Sequence, residues 1–384
     1  MMIVLKFGGA VLNEQVGFLS MVDIIKQRTD KCIIVISAFS DITRSLDSSM
    51  QLALKGNIDS AMNIIDDIMT YHRNLATSLS ISATVLETGF LQVESLLKRL
   101  LKGISLTREI SAKTRDLFLS QGEEIAVAFI KELFISKNIE SHLLDARKII
   151  VTDNTHGHAK PIEYHIQYRL QEDVIPLFEQ HDVMIIAGFI GSNEHGETTT
   201  MGYESSNLTA SILGSILHAD EIQIWTDVAG IRSVDPKLCA NNIPIRRISF
   251  NLANILANNG SKLLHHWMID LPKKYNIPVS IRNAYDSNGE YTIINDEETS
   301  TIPTIFILTD SKPLHSQALL TIITTNSDII HSLYEYCANK VNHQIQLSTF
   351  ITPYLHTLSL NDSLVQDIIE RLHNFIEDKH ETSS

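Results

Sequence analysis

The sequence predicts an α/β fold: a three-layer αβα sandwich with a mostly parallel central sheet, followed by a small α+β domain. Short apolar runs rich in β-branched residues are typical of strands buried on both faces, and here they alternate with longer stretches of helical periodicity. Alternation of this kind indicates βαβ units and therefore parallel strands. The small domain is predicted from a change of sequence character after residue 287.

The predicted elements occupy most of the first 285 residues. Strands are expected at residues 2–7, 32–37, 183–188, 221–226 and 277–282, and helices at 13–28, 121–137, 163–180, 205–218 and 250–258. Residues 44–118 have almost no strand pattern but repeated apolar spacing, which predicts an all-helical excursion from the sheet. Such an excursion could form a lid, a wall of a substrate site or a dimer surface.

The chain is expected to divide into two domains. The first covers residues 1–287, and the polar, turn-rich segment 288–310 is the predicted linker. Residues 311–378 show a β-α-β-β-α order that is typical of a small α+β module. Residues 379–384 are expected to form a disordered tail.

Composition argues against several classes of partner. The 384 residues carry a formal net charge of −14 without a block of Lys and Arg, so we expect no nucleic acid and no membrane surface as the main partner. The three cysteines are widely spaced, which favours a reducing compartment over a disulfide framework. No apolar run reaches about 18 residues, and the amino terminus does not resemble a signal peptide. We therefore expect a cytoplasmic protein.

The strongest local pattern is "VLKFGGA", in which a predicted buried strand leads directly into Lys6, Phe7, Gly8 and Gly9. Two glycines after a strand allow the backbone to approach a ligand closely, and their N–H groups can bind an anion. Lys6 adds a positive charge suited to a phosphate. By itself, a Gly-Gly turn beside a lysine is more often only a turn.

Two further patterns place polar residues near predicted strand ends. "IWTDVAGIRSVDPKL" puts Thr226 and Asp227 at the end of a strand and Asp235 and Lys237 in the loop that follows. Ligands of open α/β sheets bind at the carboxyl ends of strands, although such aspartates can equally be turn formers or helix caps. In "NNGSKLLHH", Lys262 precedes a helical stretch, and its ammonium could face a phosphate or solvent.

Histidine pairs do not predict a metal site. "THGH" at 155–158 and the pair His265–His266 are the candidates, but isolated histidine pairs in loops are seldom metallated. We therefore predict no metal bound directly by the protein.

Taken in order, these patterns resemble the aspartate kinases of the amino-acid-kinase family. The resemblance rests on Lys-Phe-Gly-Gly, "GFIG" (188–191), "TTTMG" (198–202), "TDV.G....DP", "GSKLLHH" and "KYNIPVSIRN". "LSQGEEIAVAFI" (119–130) is similar to the family's Ser-x-Gly-Glu helix, and "VISAFSDITRSL" (35–46) to its second strand and Thr-bearing loop. The resemblance spans roughly residues 3–294, and the carboxyl-terminal module resembles a single diverged ACT domain.

The resemblance implies an activity and a set of site residues. The family phosphorylates the side-chain carboxylate of L-aspartate with ATP and Mg²⁺, giving 4-phospho-L-aspartate for the lysine, threonine and methionine pathways. Phosphoryl transfer of this kind needs positioning and positive charge rather than covalent catalysis. By resemblance, the catalytic residues are Lys6, Gly8, Gly9 and Lys262, the ATP site adds Thr226, Asp227, Asp235 and Lys237, and the substrate site contains Thr43, Glu123, Ser206 and Asn207.

One segment departs from the family pattern. Aspartate kinases carry an Arg-Gly-Gly-Ser-Asp type segment where this chain has Tyr203, Glu204, Ser205, Ser206 and Asn207. The family arginine binds a substrate carboxylate, so its loss removes a charge-assisted bidentate contact. The serines still favour a helix start, which attracts an anion. An arginine from elsewhere could also replace the missing one, and the candidates are Arg147 and Arg282.

Three functions are compatible with these residues. The first is an ATP-dependent aspartate kinase, and the second is a kinase of the same fold that acts on another small carboxylic acid. The third is a catalytically weak, nucleotide-binding regulatory protein, against which the retention of Lys6, Glu123 and Lys262 argues. ACT modules of this family bind amino acids and pair across chains, so the resemblance also implies a homodimer with an amino-acid effector near residues 318–370.

Overall fold

The structure, a computed structural model, divides into two compact units. Unit 1 consists of residues 1–228 and 270–289, and unit 2 of residues 229–269 and 290–384. The structure describes residues 1–234, 239, 242–259, 261, 263, 264, 267–296, 305–314, 317–324, 355–361, 369 and 370.

A parallel sheet forms the centre of unit 1. Its strands are β1 (Met2–Phe7), β2 (Lys31–Ile36), β3 (His142–Leu144), β4 (Val183–Ala187), β7 (Glu221–Thr226) and β11 (Val279–Asn283), and a separate antiparallel hairpin joins β5 (Ile190–Ser192) to β6 (Thr198–Thr200). The sheet order is β11-β7-β1-β2-β4-β3, with every neighbouring pair parallel. Continuous apolar runs such as that of β2, whose last five residues are all buried, form these strands because both sheet faces are covered.

Helices flank the sheet and form the predicted excursion. In unit 1 they are α1 (Gln15–Lys26), α2 (Ile42–Leu54), α3 (Ile58–Ser78), α4 (Ala83–Thr107), α5 (Ala112–Leu119), α6 (Gln121–Ser136), α7 (Ala146–Ile149), α8 (Glu163–Arg169), α9 (Ser206–Ile216) and most of α11 (Trp267–Tyr275), whereas α10 (Phe250–Asn258) belongs to unit 2. The four helices α2 to α5 occupy the segment that the sequence predicts as helical. In α3 the buried positions 61, 65, 68, 69, 72, 75 and 76 recur at helical spacing, so one face of that helix is in the core.

Several predicted elements have different bounds in the structure. The strand expected at 277–282 begins at Val279, because Pro278 precedes it and has no N–H to donate to a neighbouring strand. The helix expected at 163–180 changes type: α8 ends at Arg169, and a π-helical turn (Leu170–Val174) and a 3₁₀ turn (Ile175–Glu179) follow. Pro176 lies in that last turn and cannot donate a helical hydrogen bond.

Register places the carboxyl ends of the central strands at one edge of the sheet. Phe7 at the end of β1 pairs with Ile36 of β2 and Trp225 of β7, and Ile36 pairs with Ala187 of β4. The chain passes from β1 to β2 on one side, and β7 later pairs with β1 on the other side. Such a switch of direction beside β1 creates a crevice at the carboxyl edge, where open α/β sheets bind ligands.

Within its described residues, unit 2 contains four strands of two to four residues and three longer strands of the carboxyl-terminal module. Its strands are β8 (Ile231–Arg232), β9 (Pro244–Ile245), β10 (Arg247–Ser249), β12 (Thr292–Asn295), β13 (Ile305–Leu314), β14 (Gln317–Thr324) and β15 (Leu355–Asn361). The last three form an antiparallel sheet in the order β13-β14-β15. The segment 288–310, predicted as a linker, thus contains β12 and the start of β13. The first helix and the second strand of the β-α-β-β-α order predicted for residues 311–378 lie outside the described residues, so the ACT-like module stays a prediction.

None of the helices in the described ranges combines the length and apolar character that crossing a bilayer requires.

Candidate functional site

The lysine at the end of β1 has an unusual environment. Lys6 follows three fully buried residues, and burial lowers the pKa of its ammonium to about 8 because the charged form loses hydration. The carboxylate of Glu204 partly offsets this shift. Apart from its backbone pairing in the sheet, Lys6 is without a partner in the described part of the chain: no hydrogen bond or ion pair of its ammonium is found there. An ammonium held in this way is available to an anion brought by a ligand.

The two glycines after β1 contribute differently. The Gly8 N–H donates to the Trp225 carbonyl at 3.3 Å, so this amide is already used. The Gly9 N–H has no such acceptor among the described residues. A methyl group on Gly8 would lie 3.0 Å from Nζ of Lys6, and one on Gly9 would lie 3.1 Å from the Ala38 carbonyl oxygen. Of the two amides predicted to bind a phosphate, only that of Gly9 is therefore free, and Gly8 provides close approach instead.

Glu123 places a buried carboxyl group beside the loop after β2. It lies in the first turn of α6 and is only 3% exposed. One oxygen, Oε1, accepts a hydrogen bond from the Ala38 N–H at 3.3 Å, whereas Oε2 is buried without a partner in the described part of the chain. Burial raises the pKa of Glu123 to about 8, and the Ala38 amide opposes that rise. An unpaired buried carboxyl oxygen is costly unless a ligand donates to it.

The start of α9 adds a second set of unpaired polar groups. Ser205 is the N-cap residue, but its side chain forms no capping hydrogen bond. Its Oγ and the Oδ1 of Asn207 are buried without a partner among the described residues. Ser206 is buried as well. Together with the free N–H groups of a helix start, these atoms form a polar surface suited to an anion.

Gly188, directly after β4, allows the start of α9 to approach the sheet. A methyl group there would lie 2.6 Å from Cβ of Ser206. We expect Gly188→Ala to lower the free energy of unfolding by about 1–3 kcal/mol, the usual cost of overpacking. The matched control is Gly103→Ala within α4, where nothing lies within 4 Å of an added methyl group, and we expect it to stabilise by about 0.5–1 kcal/mol. Denaturant unfolding of both variants measures the difference, and equal midpoints would contradict the contact.

Three residues other than glycine have left-handed backbone conformations in the loops at this edge. They are Asp41 before α2 (φ 61°), Phe189 after β4 (φ 66°) and Glu204 before α9 (φ 66°). Such conformations cost on the order of 1 kcal/mol each and cluster at functional sites. The family glycine at position 204 would adopt this backbone freely. The glutamate therefore adds both strain and negative charge near Lys6.

Tyr203, which occupies the position of the family arginine, is in contact with an arginine from another helix. The guanidinium of Arg115, on α5, lies 6.0 Å from the centre of its ring, and Nη2 of Arg115 donates to the Tyr203 hydroxyl at 3.4 Å. Arg115 also forms an ion pair with Asp47 at 2.9 Å. The sequence analysis missed Arg115, because no local pattern distinguishes it from a surface arginine on a helix.

The two arginines proposed from the sequence have other partners. Arg147 donates to the Thr198 hydroxyl at 2.8 Å and forms an ion pair with Glu124. Arg282 pairs with Glu221 at 3.0 Å and lies over the Trp225 ring. Both guanidinium groups are thus engaged within unit 1, and their role in replacing the family arginine stays a prediction.

The remaining predicted residues divide into described and undescribed sets. Thr226 and Asp227 lie at the carboxyl end of β7, where the Thr226 hydroxyl donates to Oδ1 of Asp227 at 3.1 Å. Thr43 is half-buried in the first turn of α2. The three predicted phosphate and nucleotide residues Asp235, Lys237 and Lys262 lie outside the described residues.

Metal ligands are not clustered in the described residues, which contain no group of three or more His, Cys, Asp or Glu side chains suited to one ion. His156 of the "THGH" segment instead forms a hydrogen bond with the buried Asp116 at 2.8 Å.

Taken together, the described residues place a free ammonium, a free amide, a buried carboxyl oxygen and a helix start at one sheet edge. Such groups bind a phosphorylated and a zwitterionic small molecule.

The chain belongs to the amino acid kinase family, whose model matches residues 1–283. The more specific resemblance to the aspartate kinases is also confirmed. Aspartokinase 1, chloroplastic, from Arabidopsis thaliana is 29% identical over 317 residues, which are 79% of this chain and 54% of that protein. The chain spans about half the length of most of the curated relatives it matches.

Solved structures confirm the predicted fold class. The crystal structure of Escherichia coli aspartokinase III in complex with lysine and aspartate has a TM-score of 0.76 at 19% identity, covering 98% of this chain and 99% of that one. The same enzyme in complex with aspartate and ADP has a TM-score of 0.70 at 24% identity, covering 97% and 83%. Both share the mostly parallel sheet with flanking helices.

Proposed function

We propose that this protein transfers the γ-phosphoryl group of ATP to the side-chain carboxylate of L-aspartate, giving 4-phospho-L-aspartate. The observation that carries the proposal is the unpaired Oε2 of buried Glu123, at the same sheet edge as the unpaired ammonium of Lys6. A cationic amino group and a phosphate would satisfy both groups at once. Aspartate is bound in both E. coli aspartokinase III structures similar to this chain, and ADP in one of them.

The chemistry needs charge and position more than a reactive side chain. An oxygen of the substrate carboxylate attacks the γ-phosphorus, and the bond to the β,γ-bridging oxygen breaks so that ADP leaves with the electron pair. Lys6 and the Gly9 N–H stabilise negative charge on the transferred group, with Gly8 allowing their close approach. Glu123 accepts hydrogen bonds from the substrate ammonium, and Thr43, Ser206 and Asn207 line the same substrate site.

The nucleotide is proposed to lie against the carboxyl end of β7. We propose that Thr226 and Asp227 contact it there, and that Asp235, Lys237 and Lys262 complete the phosphate and nucleotide site. Mg²⁺ would accompany ATP and neutralise phosphate charge. The described residues contain no cluster of three or more ligands for one ion, and we propose that the metal is held through phosphate oxygens and water.

The wider organisation is also a proposal. Residues 1–287 would form the catalytic domain, 288–310 the connection and 311–378 an ACT-like regulatory domain that binds an amino-acid effector. Antiparallel strands β13 to β15 support an α+β module of this kind. We propose a homodimer paired through these modules, acting in the cytoplasm on the first step of lysine, threonine and methionine synthesis.

A hydroxylamine trap tests the activity. The protein is incubated with ATP, Mg²⁺ and L-aspartate, beside a panel of other small carboxylic acids, and acyl phosphate is measured as hydroxamate. We expect product from aspartate. Product from another acid alone would replace the proposal with a kinase of different specificity, which the tyrosine at position 203 specifically favours. No product from any acid, with ATP still bound, would leave a nucleotide-binding regulatory protein.

A further inference from the structure

The proposed substrate has a carboxylate that the site described so far does not neutralise. L-aspartate carries two carboxylates and one ammonium, and one carboxylate must face the phosphoryl donor near Lys6. The ammonium would be held by Glu123. The second carboxylate requires a cation of its own, and position 203, where the family has arginine, is a tyrosine here.

Arg115 is the cation that contacts position 203. Its guanidinium lies against the Tyr203 ring, with 6.0 Å between the guanidinium carbon and the ring centre, and Nη2 reaches the hydroxyl at 3.4 Å. Tyr203 lies two residues before Ser205, the N-cap of α9. The aromatic ring thereby holds a guanidinium group close to the helix start that forms the anion-binding surface.

The other partner of Arg115 places it beside the substrate helix as well. Nε and Nη2 both donate to a single oxygen, Oδ1 of Asp47, at 3.2 and 2.9 Å. Asp47 lies one turn after Thr43 on α2, so the two side chains share a helix face. Arg115 is thus situated between the helix face that carries Thr43 and the segment that leads into Ser205.

The hydrogen-bonding capacity of this arginine is only partly used. Nη1 of Arg115 has no acceptor, and Oδ2 of Asp47 has no donor, among the residues that the structure describes. The side chain of Arg115 is 35% exposed and that of Asp47 is 26% exposed, so a ligand can reach the pair. Partly exposed ion pairs contribute little to stability, and a substrate carboxylate could take the place of Oδ1 at small cost. A guanidinium fork is matched to a carboxylate in shape and charge.

We propose that Arg115, held by Tyr203, binds the non-reacting carboxylate of the substrate, and that Asp47 occupies this guanidinium when substrate is absent. This inference rests on the proposed function, since it assigns the carboxylate contact of that same site. In this protein the cation that binds the carboxylate is on α5 rather than at position 203, and the tyrosine at position 203 holds it in place. Specificity for a dicarboxylate is thereby retained without the family arginine.

Opposite effects of two substitutions test the proposal. Arg115→Ala is expected to raise KM for aspartate about 10- to 100-fold, the range for losing a charge-assisted contact. Asp47→Asn removes the competing carboxylate, so KM is expected to fall or to stay within about twofold. If Arg115 and Asp47 only hold α5 against α2, both substitutions raise KM together, and this result would overturn the proposal. Lys113→Ala, on the same helix with its ammonium paired to Glu197, is the control that leaves KM unchanged.

Two substrate analogues separate the carboxylate contact from the amine contact. Succinate keeps both carboxylates but lacks the ammonium, whereas 3-aminopropanoate keeps the ammonium and lacks the second carboxylate. Their inhibition constants against aspartate are measured for the wild type and for Arg115→Ala. We expect the variant to bind succinate at least about 10-fold more weakly and 3-aminopropanoate unchanged. Equal weakening of both analogues would contradict a specific contact.

The outcomes distinguish this inference from the proposed function. A wild-type protein that forms no hydroxamate from aspartate refutes the function. A wild-type protein that does form it, together with an Arg115→Ala variant of unchanged KM, refutes only the inference. Thermal unfolding and ATP binding of each variant show whether the fold and the nucleotide site are intact, and Arg115→Lys, which keeps the charge but loses the fork, is expected to recover part of the affinity.

Discussion

Replacement of Lys6 by alanine is expected to lower the rate of phosphoryl transfer at least about 10³-fold, the largest effect of any single substitution proposed for this protein. Lys6 is the only described cation at the end of β1, and its ammonium has no partner among the described residues. Charge that develops on the transferred group would lose this stabilisation entirely. Hydroxamate formation at saturating ATP and aspartate measures the loss, and Lys26→Ala at the exposed end of α1 is the control.

The low pKa of Lys6 adds a pH dependence with a definite sign. Because burial lowers the pKa of this ammonium to about 8, the free protein loses the positive charge as pH rises through 8. We expect kcat/KM to fall above about pH 8, since this ratio reports the free enzyme. Bound phosphate raises the pKa of a neighbouring ammonium, so the fall in kcat should occur at higher pH.

A Lys6→Ala variant that retains more than about a tenth of the wild-type rate of phosphoryl transfer would refute the role assigned to Lys6.

The second large effect is expected for Glu123→Gln. The neutral amide cannot pair with a substrate ammonium, so KM for aspartate should rise about 100-fold while ATP binding is unchanged. Glu132→Gln is the matched control, because Glu132 is on the same helix and is not one of the proposed substrate or nucleotide residues. Isothermal titration of ATP and initial-rate kinetics with aspartate separate the two effects. An equal loss of ATP affinity would contradict a role confined to the amino acid.

Glu123→Gln is expected to increase the stability of the folded protein although it weakens aspartate binding. The pKa of Glu123 is raised to about 8 in the folded protein, above the 4.5 of a freely exposed glutamate, so the folded state holds a proton that the unfolded state releases. Stability contributed by this group is therefore present below pH 4.5 and is lost as pH rises through 8. Glutamine avoids this loss, and Glu123→Gln should raise the thermal midpoint at pH 8 by at least about 2 °C, with a smaller gain at pH 5.

Substrate binding should be linked to the same proton. At pH 7 the Glu123 carboxyl is mostly protonated in the free protein, and a substrate ammonium pairs with the ionised form. Binding of aspartate is therefore expected to release a proton, and KM should fall as pH rises from 6 to 8. Calorimetric titration of aspartate in buffers with different ionisation enthalpies measures this proton directly, and a buffer-independent binding enthalpy would contradict it.

Short-range patterns in the sequence predict a large part of this fold. The continuous apolar run of residues 2–7 and the glycines that follow it predict a buried strand with Lys6 near its end, and the structure has that strand. The helical excursion was predicted equally well, because helical spacing of apolar residues is visible within about four turns. The relation to the aspartate kinases followed from several such patterns in order. The three-residue strand β3 and the π-helical turn after α8 were not predictable, since neither is long enough to set a period.

Which side chains have hydrogen-bond partners and which do not depends on contacts between elements that are distant in the sequence. Arg115 and Tyr203 are 88 positions apart in the sequence, and no pattern connects them. Their contact exists because α5 lies near the segment before α9. Arg147 and Arg282 have the same chemistry as Arg115 in the sequence, but their neighbours engage them elsewhere. The unpaired oxygen of Glu123 is likewise a result of packing. Composition and periodicity specify which face of an element is buried, whereas hydrogen-bond partners depend on how distant elements approach one another.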